Sequence, residues 1–138
     1  MSIIPPFVSE KLPPFNVLIF PSSNNPALEI IRALGLSNKV RLFAASSLDQ
    51  ETDLGAYLVK AWIRLPWIYE ETFEPALCEA VAKYSIDLVF PTTDETVRRL
   101  TAMRESRRLN VVGPREELAA ITASKSRTYS LLSDTGVV

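Results

Sequence analysis

Asp94 and Glu95 stand side by side after Pro91-Thr92-Thr93, the turn that ends the mostly apolar run Ile86-Asp87-Leu88-Val89-Phe90. A pair of carboxylates just past a buried strand accepts hydrogen bonds only, so it can orient an amine or a hydroxyl. The same positions also suit a helix start, with Asp94 or Thr93 as N-cap and Glu95 in the first turn, where the dipole favours negative charge. A second polar loop, Pro21-Ser22-Ser23-Asn24-Asn25-Pro26, follows the run Asn16-Val17-Leu18-Ile19-Phe20 and contains no glycine. It is therefore neither a dinucleotide fingerprint nor a P-loop, because both need glycines to bring backbone close to phosphate. Lys125 is the remaining candidate. At a helix start its charge opposes the dipole, a small cost that a bound anion would reverse.

Composition removes whole classes of chemistry. The chain has no histidine and one cysteine, Cys78. Ser/His and Cys/His nucleophile pairs and imidazole-based metal sites are excluded, as are an intrachain disulfide and a multi-cysteine zinc site. Cys78, beside Leu77 and Val81, reads as a small buried hydrophobe. The formal net charge is -1, without a long Lys/Arg run, so a nucleic-acid partner is not expected. Arg98, Arg99, Arg104, Arg107 and Arg108 read as a solvated helix face, with an anion or partner site as the alternative. The apolar stretches are shorter than a membrane span and none resembles a signal segment, so the expectation is a cytoplasmic protein without a membrane partner.

The elements that must position these residues follow from periodicity. The chain's 138 residues, 47% of them hydrophobic, suit one globular unit. Two Pro-Pro pairs make residues 1–15 a proline-rich arm. Strands are expected at 16–20, 40–45, 86–90 and 110–112. The first helix should start at Asn25 as N-cap with Pro26 at its first position, carry Leu28, Ile31 and Leu34 on one face, and stop at Gly35. Thr72 should cap a second helix with Phe73, Leu77, Val81 and Tyr84 on its face. Val97, Leu100 and Met103 mark a third, and Gly113-Pro114 opens a short one through Leu118 and Ile121. Residues 46–71 are the least readable, with a short helix around 56–63. Trp62, Trp67 and Tyr69 there read as a satellite hydrophobic cluster rather than a base-stacking platform.

Strands alternating with helices imply right-handed parallel crossovers and an α/β fold, a Rossmann-like three-layer sandwich around a mainly parallel four-stranded sheet of order 2-1-3-4. Ligands in such sheets sit beyond the carboxyl ends of the strands where the connection direction reverses. The loops 21–25 and 91–95 then face one crevice, with Ser23, Asn24, Thr93, Asp94 and Glu95 as substrate-facing candidates. Residues 16–122 form the domain. Residues 123–138 read as an amphipathic helix, a glycine stop and the first residues of a strand whose backbone needs a partner, so a link to a further lobe is expected. Tyr129, Leu131 and Leu132 on that helix should be partly uncovered, so disorder, domain swapping or a homodimer contact is expected there.

The succession from Ile86 through Pro91-Thr92-Thr93-Asp94-Glu95 and Asn110-Val111-Val112-Gly113-Pro114 to Ala123-Ser124-Lys125 and Gly136-Val137 resembles the N-terminal, or pre-ATP-grasp, domain of ATP-grasp enzymes. The look is that of carboxylate-amine ligases and carbamoyl-phosphate-synthase-large-subunit-like proteins. The resemblance implies a ligase in which ATP, with Mg, phosphorylates a small-molecule carboxylate substrate and an amine or similar nucleophile attacks the acyl phosphate. It implies that Lys125 reaches a nucleotide phosphate and that Glu95 or Asp94 faces the substrate side. Catalysis would need the ATP-grasp lobes of the same polypeptide as partners, so this chain alone is expected to be inactive. One charge-assisted hydrogen bond contributes about 1.5–3 kcal/mol, whereas micromolar affinity needs about 8 kcal/mol. Tight binding of ATP by this chain is not expected. The competing readings are a stand-alone Rossmann-like binding or scaffold module and, more weakly, a flavodoxin-type domain.

Overall fold

The computed structural model describes residues 11–136. The order is β1 (Phe15–Phe20), α1 (Asn25–Leu34), β2 (Val40–Ser46), two 3-10 turns (Gln50–Thr52 and Leu54–Leu58), β3 (Ala61–Arg64), α2 (Phe73–Lys83), β4 (Leu88–Pro91), α3 (Asp94–Ser106), α4 (Glu116–Thr122) and α5 (Lys125–Asp134). The strands form one sheet of order β3-β2-β1-β4, parallel at every pairing.

β1 is apolar on both faces because both are covered. Val17 and Ile19 pack with Ala27 and Ile31 of α1 and Leu42 of β2. Leu18 and Phe20 point the other way, into a cluster with Phe43, Phe73 and Leu77 of α2, and Leu100 and Met103 of α3. The alternation is the period of two that a strand imposes, and it gives the expected three layers. Each such side chain contributes about 1.5–3 kcal/mol on leaving water. Phe20 and Phe73 add a tilted ring contact with centroids 5.4 Å apart.

The neighbours of β1 are those expected, but the fourth strand is a different one. Residues 110–112 make a single parallel bridge, Val89 to Val111, with Val89 N donating to Asn110 O and Val112 N to Val89 O. Gly113 at φ +153° then turns the chain away before a ladder can lengthen. The fourth strand is β3, inside the segment expected to hold a helix. Its register Phe43 to Ala61 through Ser46 to Arg64 extends the sheet beyond β2, and the helical turn preceding it is the 3-10 turn Leu54–Leu58. The reason is the pattern Trp62-Ile63, which favours a half-covered pleated strand over an isolated short helix.

Caps also shift. The N-cap of α1 is Asn24, whose side chain accepts from Ala27 N, so Asn25 and Pro26 lie inside the first turn. The N-cap of α3 is Thr93, not Asp94, in a reciprocal capping box with Thr96. Thr72 precedes α2 without a side-chain cap bond. Cys78 is half-buried. On α4 the covered residue is Ala119, while Leu118 is exposed. Helix α5 buries no residue, and Tyr129, Leu131 and Leu132 are exposed. Of the expected arm 1–15, residues 1–10 fall outside the described residues, as does the expected strand at Val137, and Phe15 already belongs to β1. Among the described residues no helix is long and apolar enough to cross a membrane.

Candidate functional site: a crevice at the carboxyl ends of the strands

Because all four strands run the same way, their carboxyl ends meet at one edge, and the connection direction reverses between β1 and β4. A cavity of about 240 Å3 opens there, walled by the ends of β1 and β2 and by the segments that follow all four strands. Pro21 and Ser23 follow β1; Ser46 ends β2, with Ser47 and Leu48 behind it; Trp67, Ile68 and Tyr69 follow β3; Thr93, Glu95 and Thr96 follow β4.

The two loops expected to face each other are tied together. Asn24 Nδ2 donates to Thr92 Oγ1 at 2.8 Å, and Thr92 Oγ1 donates to Pro21 O at 2.6 Å. Asn24 therefore braces the crevice from behind and caps α1, while Ser23 lines it. Ser23 Oγ accepts from Ser46 Oγ at 3.1 Å, and Ser46 Oγ accepts from Leu48 N at 3.0 Å. Ser47 Oγ donates to Pro66 O, holding the β3 loop against the β2 loop.

Glu95, in the first turn of α3, is the charged group of the wall. Its Oε1 accepts from Arg98 Nη2 at 2.5 Å, and that bond is the main reason its pKa lies below the usual carboxylate range. Desolvation opposes the shift and the Tyr69 hydroxyl reinforces it. Tyr69 is raised in turn, by desolvation first and then by Glu95. At neutral pH the crevice therefore presents a carboxylate beside a neutral phenol.

Of the candidates, the fold brings Ser23, Thr93 and Glu95 together at this wall. Asp94 is exposed and outside it. Lys125 is the first residue of α5, exposed and not part of the wall. Three of the five arginines do separate jobs rather than forming one face: Arg98 pairs with Glu95, Arg104 bonds the carbonyls of Val111 and Gly113, and Arg107 pairs with Glu74. Trp67 and Tyr69 correct the expectation of a satellite cluster, since they are 55% and 74% exposed at the crevice mouth. Trp62 instead turns inward and donates to Asp53, which is fully buried and also accepts from Gly55 N and Ser22.

A phosphate finds little to hold it here. Ala27 N of α1 and Thr96 N of α3 are capped by Asn24 and Thr93, Pro26 has no N–H, and among the described residues the wall contains neither lysine nor arginine. Among the described residues no three acid or cysteine side chains are placed to hold a metal ion. These residues do not fit a magnesium nucleotide.

No family model and no curated protein matches the chain. Solved structures do. The biotin carboxylase subunit of a pyruvate carboxylase superposes with a TM-score of 0.65 at 16% identity, over 88% of this chain and 27% of that one. The L-amino acid ligase from Bacillus licheniformis gives 0.63 at 21% identity, over 91% and 31%. The biotin carboxylase domain of Hydrogenobacter thermophilus 2-oxoglutarate carboxylase, described in complex with MgADP, ADP and bicarbonate, gives 0.63 at 13%, over 92% and 28%. The likeness is one of fold. The chain spans roughly three tenths of the length of these three proteins.

Proposed function

We propose that this chain is the substrate-side domain of an ATP-grasp ligase that joins a carboxylate to an amine or similar nucleophile through an acyl phosphate. The crevice carries the proposal: a small cavity at the carboxyl ends of a parallel sheet, walled by Ser23, Thr93 and Glu95 and by the aromatic pair Trp67 and Tyr69. The fold shared with carboxylases and an amino acid ligase supports it, as does the motif succession that resembles carboxylate-amine ligases and carbamoyl-phosphate-synthase-like proteins.

In this reading ATP and magnesium are held by ATP-grasp lobes, the partners of this domain, and together they supply phosphoryl transfer to the carboxylate. The residues of this chain position one reactant. Glu95 accepts hydrogen bonds from it, the hydroxyls of Ser23 and Ser47 border its polar end, and Leu48, Trp67 and Ile68 keep water from its apolar part. Lys125 is proposed to meet a nucleotide phosphate from the α5 side once those lobes are in place. This chain by itself would be inactive.

The test is hydroxylamine trapping with the polypeptide that joins this domain to ATP-grasp lobes. A hydroxamate formed from a carboxylate, dependent on ATP and magnesium, is the expected result. Phosphate release without any hydroxamate across a panel of carboxylates would refute the acyl phosphate.

A further inference from the structure

We propose that the crevice selects the amine reactant, a primary ammonium on a small apolar or aromatic body, and not the carboxylate; this rests on the ligase reading given above. Four observations converge on that ligand. The cavity, about 240 Å3, lies below the ~300–1,000 Å3 of sites for drug-sized ligands, so it suits a single small molecule such as one ring with a short tail. Most of its wall is apolar, built by Phe20, Leu48, Trp67 and Ile68. An anion would enter without a cationic partner, since the wall has no lysine or arginine and both helix N-termini beside it are capped by their own side chains. A cation finds the opposite.

Glu95 Oε1 is engaged by Arg98, and the second carboxylate oxygen has two lone pairs, so beside the Tyr69 hydroxyl it keeps room for a further donor. An ammonium in the crevice can donate to that oxygen, a charge-assisted bond of the stronger class. Its remaining hydrogens can reach the hydroxyl of Ser23, whose oxygen already accepts from Ser46. The exposed rings of Trp67 and Tyr69 lie at the mouth, where aromatic faces attract a passing cation. Arg98 is not among the residues of the wall, and its bond to Glu95 favours the ionised carboxylate without filling the cavity.

The experiment reads the two tryptophan indole N–H signals and the Glu95 side-chain signal by NMR while phenethylamine, phenethyl alcohol and 3-phenylpropionate are added in turn. The expected result is saturable movement of the Trp67 and Glu95 signals with phenethylamine at millimolar concentration, at least tenfold weaker response to the alcohol, and none to the acid. Trp62, bonded to Asp53, should stay still. Glu95→Gln should reduce the amine response to that of the alcohol, and the three-ligand ranking on the unaltered protein stands independently of that variant. Preference for 3-phenylpropionate, or equal response to amine and alcohol, would overturn the amine assignment while leaving the crevice as a reactant site. Silence toward all three would overturn both.

Discussion

Trp62 Nε1 donates to Asp53 Oδ2 at 2.9 Å, joining the first half of the β2–β3 connection to the strand it feeds. The same carboxylate accepts from Gly55 N at 2.9 Å and from Ser22, whose hydroxyl also lies 2.9 Å from Ala45 O. One buried acid thus fixes the 3-10 turn, the edge strand and the loop after β1. Trp62→Phe keeps the aromatic body but removes one of the donors to a buried carboxyl, and should lower unfolding free energy by about 1–2 kcal/mol. Asp53→Ala strands the buried Gly55 N–H as well, and should cost about 3 kcal/mol. Urea unfolding of the two variants checks the order; equal stabilities would show that the hub does not matter.

Ser85 follows α2 with φ +49°, in the left-handed region. Ile86 N donates to Val81 O at 2.9 Å, closing the helix end in the way a glycine usually does. A side chain there costs about 1–2 kcal/mol, partly offset by the greater unfolded-state freedom of glycine. Ser85→Gly should therefore stabilise the fold by about 0.5–1 kcal/mol, measured as a higher urea midpoint with an unchanged slope. Arg108, at φ +52° after α3, should respond in the same direction.

The carboxyl of Glu95 is depressed by Arg98 in the folded state. A depressed acid contributes stability that is fully present above its unfolded value, about 4.3, and is lost as pH falls through the lower folded value. The contribution should survive acidification to about pH 4.3 and disappear below it. An NMR titration of the Glu95 side chain should give a midpoint under the ordinary one. Arg98→Ala should move that midpoint back up, and an unchanged midpoint would remove Arg98 as the cause.

ATP should bind this chain no better than millimolar, because the capped helix starts and the exposed Lys125 give a phosphate few partners. Calorimetric titration with and without magnesium is the check. Lys125→Ala should leave the isotherm unchanged. A micromolar value would place a complete nucleotide site within this chain.

The parallel sheet was legible because β1 is apolar at every position of its core, Val17 to Phe20, and such runs signal a strand covered on both sides. Ser23, Thr93 and Glu95 were legible because topology alone brings loops after neighbouring strands to one edge. The rest of the wall was not. Trp67 and Tyr69 lie beyond a strand, Ala61–Arg64, that is too short to show a period. The available signal was Trp62-Ile63 followed by Pro66, a strand and a breaker in place of a helix. Asp53 gave no warning either, since a buried acid looks like a surface acid until its donors, distant in sequence, are in place. Asn24 and Asn25 are chemically identical, and only the bond to Ala27 N separates cap from first turn.

The bonds among Pro21, Asn24 and Thr92 have a mechanical consequence. They weld the loop after β1 to the loop after β4 at the base of the cleft, so that side resists a bulkier guest. The lip bearing Trp67 and Tyr69 lies beyond the edge strand β3 and is fastened to the β2 loop through Ser47 and Pro66, so tolerance for molecules of different girth falls to those two exposed rings rather than to the strands.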